Sequence, residues 1–571
     1  MLKDLYQEVE HRCHYSSCGF GLDQSPQDKM STILQQLGFD IPSLEHEFLE
    51  TKEDEDWNII MEYALSFSSA INQYCSEAPS HEIIEQLYTL LKDTKKGISI
   101  LEMDHCEPYE EDSFKFFSHI TTIGIRGDAY PIFFEDVFKG LFGPHDNFFK
   151  EKYGFTTNDV FELVMDLDKR IYSKINNSLG HFFSWLRFRK WYDNFEKGDV
   201  HFVDKSIKND SPFKEFFQSN PDMLANEGTN FGLYDSKDQS ASPKIFWIIP
   251  NSVAEEKILS VFSHRLGENS QFIQEGEFKG FITNESVIYT RPFVQENNRF
   301  YCFSNYLPYV QLFEMMEYLL KQDKKYYNQN YQQNKEAYAR DNYFESKVKS
   351  VFRGFLPHAN FYKSVRYNFI FEDNTRETEL DVLGISDSAT YIIEVKAHEL
   401  SHKDKIRING LKYKIKDSIG SALYQCERSN KHILGEDGLF TTQRGISISV
   451  NNTKPIYKIV VTFQQFTMFL TDYESCKKLG LFDSNIDDTL VISLFDLMTI
   501  LDNMKDEQEF IQYLDIRKEV NKNKMLYCDE LDLFGYFKEG MLSEVIKKPG
   551  SFITPIKPCK LDEKYLCKSF I

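Results

Sequence analysis

Two carboxylates and an ammonium lie within residues 378–397, TELDVLGISDSATYIIEVKA, a stretch otherwise rich in Val, Ile and Leu. Strand side chains alternate faces, so Glu379, Asp381 and Leu383 share one face of a first strand. Ile392, Glu394 and Lys396 share one face of a second. The SDSAT link is short enough for a hairpin. With the acidic faces aligned, the two carboxylates stand side by side and Lys396 stands next to them. Adjacent carboxylates repel and raise one another's pKa, so keeping both ionised takes a cation. Hard oxygen donors with room for water suit Mg²⁺ or Mn²⁺. Such a set has the parts for phosphodiester hydrolysis: a Lewis acid, an activated water, and a lysine that orients the water or neutralises charge on the phosphate. The plain alternative is a surface hairpin with its polar residues in solvent. The apolar runs around both acids argue against it.

The elements that must position these residues follow from periodicity. Before them, NYFESKVKSVFRGFL reads as a helix with Phe344, Val348, Val351 and Phe355 on one stripe. Strand-like runs cover 362–371, 377–385 and 390–397. A basic segment, HKDKIRINGLKYKIK at 402–416, comes next, then a helix DSIGSALYQCERSNKHIL, a strand at 455–463 and a shorter one in TLVISLFDL. The order αβββαβ predicts a mixed sheet flanked by helices.

Asp381, the Glu394-Val395-Lys396 triplet, their thirteen-residue separation and this strand order resemble the PD-(D/E)xK, or restriction-endonuclease-like, nuclease superfamily. The likeness is nearest to the prokaryotic nuclease-related (NERD) and restriction-like subgroups. It covers about residues 342–465. Leu380 stands where the superfamily's name has proline. The resemblance implies a restriction-endonuclease-like mixed sheet and a Mg²⁺- or Mn²⁺-dependent nuclease. Asp381 and Glu394 would be metal ligands and Lys396 catalytic. It also assigns Glu345, on the preceding helix, to the metal shell, and Gln425, in SALYQCERS, to the neighbourhood of the lysine. A role in defence against foreign DNA follows by the same analogy. The competing class is a binding module that uses the nuclease-like domain as a scaffold without catalysis. The intact Asp/Glu/Lys set favours the enzyme.

Charge bears on the partner. The formal net charge of −22 over 571 residues opposes general nucleic-acid affinity. Lys403, Lys405, Arg407, Lys412, Lys414 and Lys416 reverse the field locally, directly after the second acidic strand, and are expected to hold a nucleic-acid backbone. Tyr413 adds a stacking surface. DNA is expected in preference to RNA, with no membrane partner, and a homo-oligomer is left open.

The rest of the chain predicts an α+β multidomain protein. Residues 1–240 read as a helix-rich accessory region, with HEIIEQLYTLLKD and TTNDVFELVMDLDKRIYSKI as helices. In the second, Val160, Leu163, Val164 and Leu167 form the stripe, with Thr157 or Asn158 as cap. Residues 241–335 form a mixed α/β part whose strand-like runs are KIFWIIP, GFITNESVIYTRPFV and RFYCFSNY. Residues 342–500 form the nuclease-like domain and 501–571 a helical tail. The start of the chain lacks the charge and apolar pattern of a secretory signal, which predicts a cytoplasmic protein with free thiols. His11, Cys13, His14 and Cys18 have no convincing second ligand pair for zinc and read as helix-face residues. Arg126-Gly127-Asp128 reads as a coincidental adhesion tripeptide.

Overall fold

Two apolar, alternating segments joined by the four residues 386–389 form a hairpin, and that hairpin is the middle of the larger sheet. The computed structural model describes residues 129–167, 169–171, 246–274, 284–296, 298–304, 306–332, 338–372, 374–397, 408–435, 438–466, 473–482, 489–522, 530–547 and 561–565, together with Glu62, Leu65, Ser66, Ser69 and Ala70. The helix expected at 81–93, the cluster at 11–18 and the Arg-Gly-Asp tripeptide lie outside the described residues. The chain divides into two compact units. One holds Phe149–Ile282 and Ser286–Met315; the other holds Lys95–Phe148 and Met316–Ile571.

In the first unit, residues 157–167 are helical, with Val160, Leu163, Val164 and Leu167 buried as the spacing requires. The cap is neither Thr157 nor Asn158. Thr156 Oγ1 accepts the Asp159 N–H, and Asp159 accepts the Thr156 N–H in return at 2.7 Å. This is a reciprocal capping box set by the Thr-x-x-Asp spacing. Four short strands, β1 (Trp247–Ile248), β2 (Ser263–His264), β3 (Phe293–Glu296) and β4 (Arg299–Tyr301), pair in the order β1-β4-β3-β2. Of the run expected as one strand over 280–294, the described residues, from Asn284 on, contain a helical turn at Val287–Tyr289 and a strand from Phe293. The buried Asn269 side chain accepts the Val287 N–H at 2.9 Å, a side-chain contact that outcompetes the β-propensity of Val-Ile-Tyr.

The second unit contains α1 (Pro131–Phe142), α2 (Arg340–Phe355) and a seven-stranded mixed sheet. Its strands are β5 (Asn360–Phe371), β6 (Asn374–Ile385), β7 (Thr390–Lys396), β8 (Leu439–Thr441), β9 (Ser447–Ser449), β10 (Ile456–Thr462) and β11 (Thr489–Ser493). They lie in the order β11-β10-β7-β6-β5-β8-β9. β5, β6 and β7 form an antiparallel meander, while β7, β10 and β11 run parallel. α3 (Ile408–Ile415) and α4 (Ser421–Leu434) cross between β7 and the strands that follow. After β11 come α5 (Leu494–Asn503), α6 (Glu507–Lys522) and α7 (Glu530–Lys538). The architecture is therefore a helix-rich N-terminal region followed by a mixed sheet flanked by helices, as the sequence predicts. No helix among the described residues is long and apolar enough to cross a membrane. Cys302, Cys426 and Cys476 are buried free thiols.

Opposite sheet faces carry different helices. α2 presents Phe344, Val348 and Phe352, spaced by four, with Val351 and Phe355 only flanking the stripe. The Phe352 ring packs on Phe361 at 5.6 Å and on Tyr391 at 6.3 Å, and Phe344 packs on Phe463 at 4.4 Å. On the other face, Leu411 and Ile415 of α3 and Ala422, Leu423 and Cys426 of α4 cluster with Val365, Leu380, Leu383 and Ile392. Each fully buried Leu or Ile here contributes about 1.5–3 kcal/mol by leaving water. The sheet is thus clamped from both sides, and the acidic end of the hairpin lies between the clamps.

Candidate active site

Register brings the carboxylates together. β6 and β7 pair Leu383 with Ile392 and Val382 with Ile393, so the next positions along are Asp381 and Glu394. Asp381 Oδ2 accepts the backbone N–H of Val395 at 2.8 Å. Glu394 is fully buried, and neither of its oxygens has a hydrogen-bond partner. Its nearest cation is Lys396, with Nζ 3.6 Å from Oε2. Burial, and then the charge of Asp381, push the Glu394 carboxyl well above the usual carboxylate range.

Lys396 is fixed by α4. Its ammonium donates to Gln425 Oε1 at 2.7 Å. Burial would lower its pKa, but Glu394 and Asp381 hold it above the ordinary lysine value. The two carboxylates thus favour its ammonium form. Gln425 follows from helix geometry. Ala422, Leu423 and Cys426 face the sheet, which leaves position 425 at the margin of that face, over the end of β7.

Glu345 arrives from the opposite face. It sits on α2 one residue after the buried Phe344. Ser364 Oγ donates to its carboxylate at 3.2 Å, and Lys363 Nζ lies 3.4 Å away. Burial, then Asp381, raise its pKa to about 7. A break in strand alternation explains how both helix layers reach one carboxylate. Ser364 stands opposite Asp381 between the pairs Lys363↔Val382 and Val365↔Leu380, and it has φ +54°. That left-handed residue reverses the facing of β5, so Val365 and Tyr367 join the α4-side core while Ser364 turns to α2. Leu380 and Leu383, which strict alternation would separate, lie in the same cluster. Asp381 occupies the kink between them.

The basic segment divides. Lys412 and Lys414 are half-buried on α3, Lys416 is exposed just after it, and Tyr413 is 66 % exposed. Lys403, Lys405 and Arg407 lie outside the described residues. The structure places Lys412, Lys414 and Lys416 on the α4 side of the sheet, because Leu411 and Ile415 bury there.

One participant escaped the sequence reading. Arg428 lies one helical turn after Gln425. Its guanidinium donates to Tyr367 Oη at 3.2 Å and to Thr378 Oγ1 at 2.6 Å, and stacks 4.7 Å above Phe369. Its charge also favours the ionised form of Glu394. The i, i+3 spacing from Gln425 was the available signal.

Chemically, the arrangement offers an acidic pair with free lone pairs, a fixed ammonium beside it and a third carboxyl that titrates near neutrality. Among the described residues no group of three His, Cys, Asp or Glu side chains is arranged to hold a metal ion. Any cation would rest on the Asp381–Glu394 pair, with water completing its shell. No curated protein and no solved structure matches the chain. A family model, the nuclease-related domain, matches residues 340–462, under a quarter of the length, and that domain belongs to the restriction-endonuclease-like nuclease fold.

Proposed function

We propose that the region from 342 to 500 is a divalent-metal-dependent phosphodiester hydrolase acting on nucleic acid, DNA in preference to RNA. The observation that carries this reading is Glu394. A carboxylate buried without one hydrogen bond is costly unless something else uses its lone pairs. With Asp381 alongside, the donors are all hard oxygens, which fits Mg²⁺ or Mn²⁺. When bound, such an ion supplies Lewis-acid polarisation of a phosphoryl oxygen and a lower pKa for water.

The chain's own residues do the rest. Asp381 and Glu394 would hold the ion, with Glu345 outside that pair but close enough for the Asp381 charge to raise its pKa. Lys396, kept charged by the same carboxylates and aimed by Gln425, offsets negative charge developing on the phosphate. The nuclease-related match supports the reaction class.

The test is cleavage of plasmid DNA, and of labelled single-stranded DNA and RNA, by the full chain with Mg²⁺, Mn²⁺ or EDTA. Asp381→Asn replaces one ligand oxygen by an amide. Cleavage is expected to need the metal and to fall by several orders of magnitude in this variant, with the circular dichroism and melting of the fold retained. Parental cleavage by Asp381→Asn sinks the assignment. Binding without cleavage in any metal favours the non-catalytic scaffold.

A further inference from the structure

Several cations around the sheet are neutralised. Lys347 pairs with Asp136, Arg366 lies within 4 Å of Glu377 and Glu379, Lys458 pairs with Glu427, and Lys396 with Glu394. Two cations on α2 differ. Lys349 and Arg353 follow Glu345 at four and eight residues, and among the described residues neither forms an ion pair. Lys363 continues the group. Its ammonium is pinned by Asn342 O at 2.9 Å, Asn342 Oδ1 at 3.0 Å and Ser346 Oγ at 3.0 Å, beside Glu345.

The fold does not require this cluster. The buried face of α2 is Phe344, Val348 and Phe352, and any polar residue would serve at 349 and 353. The cluster instead carries a cost. Half-burial, then the charges of Arg353 and Lys363, all disfavour the Lys349 ammonium. In a chain of net charge −22, three like charges with Glu345, on Lys363, as their one carboxylate partner among the described residues suit an outside anion. Lys349 and Arg353 are separated by about 6 Å along the helix axis, so the anion must present charge repeatedly, as a nucleic-acid strand does.

We propose that Lys349, Arg353 and Lys363 form a phosphate-contacting strip that leads a nucleic-acid backbone to Glu345 and Asp381 from the α2 side of the sheet. The proposal rests on the nuclease reading above. It adds a track on the face opposite the Lys412–Lys416 segment.

Binding of the full chain to a fluorescein-labelled DNA duplex and to the labelled single strand is followed by anisotropy in EDTA, where the metal-dependent reaction cannot proceed. The series compares the parent with Lys349→Ala/Arg353→Ala across a range of salt. Two lost phosphate contacts lower the slope of log K against log salt by about 1.4–1.8. The melting temperature holds or rises, because mutual repulsion is relieved. Lys522→Ala/Lys547→Ala removes the same charge from exposed lysines paired with Glu519 and Glu544 and is expected to keep the parental slope. A parental slope in Lys349→Ala/Arg353→Ala overturns the strip alone, as does an equal fall in the control pair. A parent that binds neither probe overturns the nuclease reading, and the strip with it.

Discussion

Glu394 and Glu530 are both buried glutamates in the same unit, and their surroundings could hardly differ more. Glu530 is saturated. Tyr513 Oη donates to it, and Arg517 Nε reaches its two oxygens at 3.0 and 3.1 Å. Glu394 accepts no hydrogen bond, and its cation stands off at 3.6 Å, held by Gln425. A carboxylate buried to hold helices together spends its lone pairs on donors within the fold. One that keeps them unspent is available to something outside it. The contrast separates an ion pair of architecture from the set of groups on which the proposed hydrolysis rests, although both glutamates are buried.

The sharpest way to break the comparison is to neutralise both glutamates. Glu394→Gln is expected to abolish metal-supported cleavage while costing less urea-unfolding stability than Glu530→Gln, since no hydrogen bond to Glu394 is lost and Asp381 still faces Lys396. Glu530→Gln is expected to leave the chemistry intact but to cost about 3–5 kcal/mol, because Arg517 loses its counter-ion in the interior. If Glu394→Gln unfolds the protein as Glu530→Gln does, Glu394 is architectural and the distinction fails.

A smaller effect tests the division of labour inside the site. Lys396→Ala is expected to lower turnover by roughly 10²–10³-fold, the range for loss of one oriented charge-stabilising donor. Calorimetric titration with Mn²⁺ is expected to show nearly parental affinity in this variant. Equal loss of metal binding in Lys396→Ala and Asp381→Asn contradicts the role given to the lysine.

The smallest effect is in pH. Glu345 has a folded pKa near 7 against an ordinary 4.5. A carboxyl that holds its proton more tightly when folded favours the fold at low pH. That advantage declines as pH rises from about 4.5 through 7, by about 3 kcal/mol in all. Glu394 is shifted upward too and contributes with the same sign. Chemical denaturation at pH 5 and pH 8 measures the decline, and Glu345→Gln is expected to remove much of it. A variant that keeps the whole parental decline shows that Glu345 ionises freely in the fold.

Much of this site was legible because acids in apolar strands are conspicuous. The thirteen-residue separation of Asp381 and Glu394 leaves one register that aligns them, and the pairing of Val382 with Ile393, across a four-residue link, is that register. The helix carrying Gln425 was readable from its period. The left-handed Ser364 was not, since serine carries no signal for positive φ, and only the contest between Glu345 and the α4-side core selects it. The β8–β9 hairpin was also hidden. Its strands are three residues each, and LFTTQRGISIS reads as easily as a loop. Arg428 was missed because its partners, Tyr367 and Thr378, are some fifty to sixty residues away, a contact that no local pattern announces.

That short hairpin has a consequence for behaviour at high concentration. A sheet is extended by an incoming chain only where an edge strand offers a row of free amides and carbonyls. β11 is buried along its whole length. β9, at the other edge, is three residues long, with Gly445 in the left-handed region at φ +77° just before it. Leu439 and Ile446 are exposed beside it, yet they flank too little straight backbone to template a neighbour. The unit that holds the seven-stranded sheet is thereby shielded from edge-to-edge aggregation by the brevity of its last strand, without a charged residue on that strand.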